Sequence, residues 1–231
     1  MAAPARPLPS PDAAPLGLAG FGTTTFMLSF FYVGIDPSLT PAVFPVALFF
    51  GGVIQLIAGW VEFRQGSTFG ATAFSSYGAF WIAYAVYGMA VEPRLPPDQV
   101  HIANGLFNLP WAVLTLYLTV ATLRISGVLL AAFMCATVTF TLFTAANFAQ
   151  STGVFQWAGG FGFLTALIAW YASFAALING TWGRHLVPTF PDPGKRLAHL
   201  AHHKGRPHSI TASAGEKEAV DEDSAYRRGL R

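Results

Sequence analysis

From Ala13 to Thr181 the chain runs for 169 residues with seven charged side chains: Asp36, Glu62, Arg64, Glu92, Arg94, Asp98 and Arg124. A soluble domain carries about a quarter of its residues as Asp, Glu, Lys or Arg, because charge keeps a folded surface wet. The other seventeen of the 24 charges lie in the first twelve residues and from Gly183 onward. Hydrophobic residues make up 53% of the chain and aromatic residues 15%. This pattern excludes ordinary soluble, disordered and collagen-like chains. The single cysteine, Cys135, excludes an intramolecular disulfide framework. What remains is a polytopic membrane protein.

A helix needs roughly 20 predominantly apolar residues to cross about 30 Å of hydrocarbon. Six segments meet that need, near 15–34, 41–61, 69–90, 105–123, 128–148 and 157–180. They are too long and too evenly apolar for barrel strands, which alternate over about ten residues. The expected fold class is therefore an all-α membrane protein with six transmembrane helices. The first segment is not a cleavable signal, since only Arg6 precedes it and its apolar run exceeds the usual length. Six crossings put both termini on one side. That side carries Arg6, Arg64, Arg124, Arg184, Lys195 and Arg196; the other has Arg94 among Asp36, Glu92 and Asp98. The positive-inside rule then predicts an N-in, C-in topology in the cell membrane. The expected division is a cytosolic segment at 1–14, a six-helix transmembrane domain at 15–181 and a basic, largely disordered cytosolic tail at 182–231. Four histidines at 199–208 could bind a transition metal, but Lys195, Arg196, Lys204 and Arg206 favour a solvated tail held against anionic headgroups.

The spans are rich in small residues and hydroxyls. Glycines such as Gly20, Gly59 and Gly162 let helices approach closely where lipid offers no hydrophobic drive. Thr137, Thr141, Thr144 and Asn147, spaced by three or four, share one face of the fifth span. Such a stripe either joins helices or lines a wet path, and the sequence leaves both readings open. Pro45 and Pro110 lie inside spans two and four and predict a kink or local unwinding in each. Glu62 and Arg64 sit at a helix end and read as interfacial anchors, paired with one another. No other charge falls within a span, which argues against pumps and voltage sensors. Cys135 has no histidine nearby in sequence, His101 has no His-x-x-x-His partner, and no phosphate-cradling glycine loop with lysine is present, so no enzyme is expected. No metal, cofactor or nucleic-acid partner is expected either.

Two motifs carry a resemblance. Ala14-Pro-Leu-Gly-Leu-Ala-Gly-Phe-Gly-Thr-Thr-Thr25 is one. The other joins Gly51-Gly52-Val-Ile-Gln55 to Glu62-Phe-Arg-Gln-Gly66 and Thr68-Phe-Gly-Ala-Thr72-Ala-Phe-Ser-Ser76-Tyr77-Gly78. Together they resemble the acetate uptake transporter family, the bacterial succinate–acetate permeases and their fungal relatives, over about residues 12–190. The family's usual opening is Asn-Pro-Ala-Pro-Leu-Gly-Leu; here Asp12-Ala13 stand at its Asn-Pro positions. The resemblance implies six-helix protomers in a homohexamer, each moving acetate and related short carboxylates such as succinate or lactate, with protons. It also implies a constriction of a Phe, a Tyr and a Leu, carried over as Phe21, Tyr77 and position 136. That last position is Ala136 here, a departure that predicts tolerance of larger acids.

A carboxylate at the bilayer centre is costly, and no lysine or arginine waits for it there. Weak, distributed donors suit a small monoanion that must also leave, or its neutral acid. Thr24, Thr25, Gln55 and Thr68 are the candidate carboxylate contacts, with Asn147 as a fifth; Phe21 and Tyr77 would strip water and set the width. The competing expectations are a pore for a small neutral solute such as ammonia, urea or an amide, and a membrane scaffold whose output is the tail.

Overall fold

The structure, a computed structural model, describes residues 11–195. The chain separates into two units, Met1–Pro193 and Gly194–Arg231; the architecture below is that of the first. The histidine-bearing stretch and the expected disordered end lie outside the described residues.

Among the described residues there is no strand, only an isolated bridge between Ser126 and Pro191. Helices are what an apolar setting demands, because each backbone N–H must find its carbonyl within its own segment. α1 is Ala14–Tyr32. α2 occupies Pro37–Arg64 and is composite. It passes from 3-10 turns (Pro37–Val43) through a short α turn (Phe44–Val46) and a π-helical stretch (Ala47–Ile54) into the α-helix Gln55–Arg64. α3 is Thr68–Val86, prolonged by a π turn at Tyr87–Val91. α4 is Val100–Thr122, α5 is Gly127–Ala149 and α6 is Thr152–Trp182. All but α3 are long and apolar enough to cross a membrane. α3 falls short because hydroxyls and glycines, among them Thr72, Ser75, Ser76, Tyr77 and Gly78, dilute its apolar character.

The two prolines act differently. Pro45 lacks the N–H that would continue an α ladder, and the π register begins two residues beyond it. Pro110 leaves α4 helical throughout Val100–Thr122, so the unwinding expected there does not occur. The helix starts are capped as their sequences suggest. Ser67, Ser126 and Ser151 accept from Gly70, Leu129 and Val154 backbone N–H groups. Asp12 Oδ1 accepts from Ala14 N at 2.9 Å, so the acid at this departure from the family motif does what an asparagine oxygen would do.

α1 packs on α6 and on the π stretch of α2; α2 packs on α3, α6 on α5, and α5 on α4. Glycines make the closest crossings. A Cβ on Gly20 would lie 2.6 Å from the Phe50 carbonyl oxygen, and one on Gly59 would lie 2.7 Å from Ser75 N. The α3–α4 seam is sparse by comparison. The Tyr77 and Thr115 hydroxyls bridge it at 2.8 Å, and the Phe80 and Trp111 rings meet across it with centroids 5.0 Å apart. After α6 the chain folds back. Asn179 receives Leu186 and Val187 N–H groups, Tyr171 donates to Pro188 O, and Gly127 N donates to Phe190 O. Arg124 closes the strap on Asp192 at 3.5 Å.

Candidate functional site

Three cavities follow one another through the bundle, and the order of their lining residues along the helices shows it. On α1 they run from Ala14–Phe21 to Phe21–Tyr32 to Tyr32; on α5 from Leu129–Ala136 to Ala136–Phe143 to Asn147. The proximal cavity, on the side of the α1 start, measures about 360 Å³. The distal one measures about 630 Å³. Between them the central cavity measures about 30 Å³, roughly one water's share of liquid volume. The open volume is least in the middle.

The pinch is aromatic. Phe21 of α1 and Tyr77 of α3 meet with centroids 4.9 Å apart, and both are buried. Phe21 and Ala136 line the proximal and central cavities alike, so α1 and α5 contribute to the same waist. Tyr77 is fixed from behind by its hydrogen bond to Thr115, itself anchored on Trp111 O at 2.7 Å. Phe133 and Phe140, one turn to either side of Ala136, lie against Tyr77 with centroids 6.1 and 6.3 Å away. The space beside the small Ala136 side chain is thus walled by aromatic rings.

Gln55 is the polar centre of the proximal cavity. It is 0% exposed, donates from Nε2 to Gly17 O at 3.2 Å, and leaves Oε1 with no partner. The geometry follows from the local sequence: Gly17 and Gly20 bring α1 close, and the π stretch ends where Gln55 begins. Thr68 lines the mouth of the same cavity, Thr25 lines the central one, and Asn147 lines the distal one. Asn147 already donates from Nδ2 to Phe143 O at 2.8 Å. Thr24 stands apart. It is fully buried, donates to Gly20 O, packs against Gly51 and lines none of these three cavities.

The structure also sorts the hydroxyl stripe of α5. Thr137 bonds Thr119 across the α4–α5 contact at 2.8 Å. Thr141 faces outward, exposed, while Thr144 and Asn147 are buried. Part of the stripe therefore joins helices and part turns inward. Thr139, outside the stripe, lines the central cavity with Thr165 of α6 at 3.4 Å.

Glu62 differs most from its expectation. It is 5% exposed and lines the proximal cavity, while Arg64 is exposed; the ion pair found among the described residues is Arg124–Asp192. The expected Glu62–Arg64 pair does not form, because the carboxylate tucks under the start of α3, where a Cβ on Gly70 would collide with Oε2. The helix N-terminus there is favourable for a negative charge. Trp81, whose buried Nε1 lacks a partner, also escaped the sequence reading. The only hint was its place one turn beyond Tyr77.

A helical bundle with five apolar spans and a charge-poor path, wide at both ends and closed by aromatics between, defines a multi-pass membrane protein built around a conduit. Residues 2–193 match the family described as GPR1/FUN34/yaaH, and the chain belongs to that family. The Escherichia coli K12 protein named succinate-acetate/proton symporter SatP is 34% identical over 179 residues, 77% of this chain and 94% of that protein. Acetate permease A of Emericella nidulans is 34% identical over 193 residues, 77% of this chain and 65% of the fungal one. The protein of Saccharomyces cerevisiae named ammonia transport outward protein 2 is 38% identical over 172 residues, 72% of this chain and 61% of its own length. A solved structure titled as that of the bacterial acetate channel SatP superposes with a TM-score of 0.71 at 32% identity, covering 78% of this chain and 98% of its own.

Proposed function

We propose that the protein is a cell-membrane permease or channel for acetate and related short-chain carboxylates, carried together with a proton. The observation that bears most weight is the axial path. It narrows at Phe21 and Tyr77 and is lined by no lysine or arginine, so a small acid meets no fixed positive charge there, and the ionisable lining groups are the carboxyls of Glu62 and Glu92 in the two outer cavities. Relatives named for succinate–acetate/proton symport and acetate permeation support the substrate class. On this reading Phe21, Tyr77 and Ala136 form the constriction. Gln55, Thr68, Thr25 and Asn147 are contacts along the way, and Thr24 supports the α1–α2 crossing beside Gln55. The protein acts as a conduit and not as an enzyme.

The finer architecture belongs to the same proposal. All six helices cross the bilayer, α3 shielded from lipid by its neighbours, with both termini in the cytosol; six copies assemble, each with its own path. The span domain covers 15–181, and the flanks are cytosolic. Purified protein in liposomes should take up labelled acetate faster than empty liposomes, with competition by unlabelled acetate; no flux at either pH 5 or pH 7 overturns the reading. A second reading, ammonia conduction, is favoured by the similarity to the ammonia transport outward protein. Swelling assays with ammonia, urea and acetate separate the two.

A further inference from the structure

Glu62 is the buried carboxyl to which the conduit so far gives no role. It sits in the last turn of α2, two turns beyond Gln55 on the same face, and both line the proximal cavity. The residue is 5% exposed, and no described residue gives its side chain a hydrogen bond or an ion pair. Its oxygens are not sealed off as Gln55 Oε1 is, so they are open to the cavity. The walls around them are largely apolar, with Leu18, Phe74, Leu129 and Phe133 among them. The first turn of α3 lies against the carboxylate, Oε2 filling the space a Cβ on Gly70 would need. One other titratable group lines the cavity, the Tyr77 hydroxyl, and it is engaged with Thr115. Outside the lining stand Asp12, exposed ahead of α1, Arg64, exposed at the end of α2, and Arg124, which pairs with Asp192. The Glu92 carboxyl is placed differently: it is half-buried and shares the larger distal cavity with Asn104, Asn108 and Asn147.

A carboxylate with no cation beside it limits the charge its cavity can hold. A round cavity of about 360 Å³ is about 9 Å across, and two like unit charges that far apart disfavour each other roughly twentyfold at an effective dielectric of about 20. At about 5 Å the same repulsion reaches a few hundredfold. Two carboxylates so confined tend to hold one proton between them. Resting on the carboxylate reading above, we propose that Glu62 is the proton-coupling group, so that a substrate carboxylate occupies the proximal cavity together with one proton shared between it and Glu62. An acid arriving from the waist brings that proton. Its O–H bond breaks, a new O–H bond forms on a Glu62 oxygen, and the substrate is left as the anion. The anion leaves through the mouth, and Glu62 returns the proton to water there. Each passage thus moves one carboxylate with one proton and no net charge. Both states of Glu62 are accommodated where it sits: the N-terminus of α3 meets the anion, and the apolar walls meet the neutral acid.

The test uses the full chain in liposomes at pH 7 on both sides, labelled acetate, and protein-free liposomes as the baseline. A potassium diffusion potential of about 100 mV, inside positive, is set with valinomycin. Wild-type passage moves no net charge, so the potential should leave initial uptake within twofold. Glu62→Gln keeps the shape of the protonated side chain and cannot ionise. The anion then passes alone, and the same potential should raise its uptake severalfold. Glu62→Ala also lacks the carboxyl and should behave alike, whereas Glu62→Asp keeps one and should stay insensitive. A role in packing alone would change how much protein assembles, not the charge carried in each passage. Uptake by Glu62→Gln and Glu62→Ala that ignores the potential overturns the proposal, and so does a wild type that follows it. If one of the two does not assemble, the other decides. If neither does, the wild type is labelled with dicyclohexylcarbodiimide, which modifies protonated carboxyls in apolar sites. Acetate should then speed the modification of Glu62 read by mass spectrometry, and unchanged or slower labelling overturns the proposal. A wild-type protein that carries no acetate under any condition overturns instead the carboxylate reading itself.

Discussion

Gln55 illustrates how one residue can be both structural and functional. Its amide N–H ties α2 to the Gly17 carbonyl, and its Oε1 is buried without a partner in a residue that lines the proximal cavity. Replacing it with leucine removes both. Acetate flux in Gln55→Leu should fall about tenfold or more, since a buried carbonyl loses its donor as well; flux within twofold of wild type would exclude a role for Gln55 in the path. Ala136 supports a prediction about selectivity. A leucine there adds bulk at the waist shared by the proximal and central cavities. Ala136→Leu should reduce lactate and succinate flux relative to acetate by about tenfold, the scale on which a pocket discriminates by a few methylenes. Competition assays with the three acids would show it, and an unchanged profile would place Ala136 outside the waist. At this scale the sequence was most legible where a motif was dense. Phe21, Tyr77 and Ala136 do line one cavity, the proximal one. Thr24 and Glu62 were less legible, because the side of a helix a residue faces depends on its neighbours: Thr24 turned to Gly51, and Glu62 turned inward beneath α3.

Among the elements, α2 departs furthest from regularity. Its π stretch, Ala47–Ile54, shifts the helix register just before Gln55 and lays the Phe50 carbonyl against Gly20. Pro45 and Gly51-Gly52 hinted at an irregularity, but nothing in single-sequence periodicity distinguishes a π register from a kink, and Pro110 left its helix unbroken. The crossings make a graded stability prediction. Gly20→Ala and Gly59→Ala should each lower stability by about 1–3 kcal/mol, because backbone atoms stand where the methyl group must go. Gly160→Ala meets nothing within 4 Å and should be near neutral. Melting of the detergent-solubilised variants followed by size-exclusion recovery would rank them, and equal loss at all three positions would contradict the packing described. The all-helical class and the rough placement of the long helices, by contrast, were legible, since runs without charge and their Gly, Pro and Ser punctuation are written locally, whereas five of the six expected spans are long and apolar enough to cross a membrane.

For the whole molecule, orientation is the first thing to check. With Cys135 replaced by alanine, a cysteine at Arg124 should react with an impermeant maleimide only from the cytosolic face, and one at Asp98 only from outside. The reverse pattern would invert the topology argued from the basic residues. The expected orientation rests on the bias of arginines in short loops; the sparse α3–α4 seam was not legible, since it depends on how two distant segments meet. The near-absence of open volume at the centre of the bundle has one further consequence, and it concerns heat. A standing water-filled pore passes solute with the shallow temperature dependence of diffusion, whereas on the proposed reading each passage must wait for the aromatic rings around the small central cavity to swing aside. Acetate flux should therefore climb with warming distinctly more steeply than the diffusion of acetate in water, so that the protein throttles uptake in the cold without any regulator.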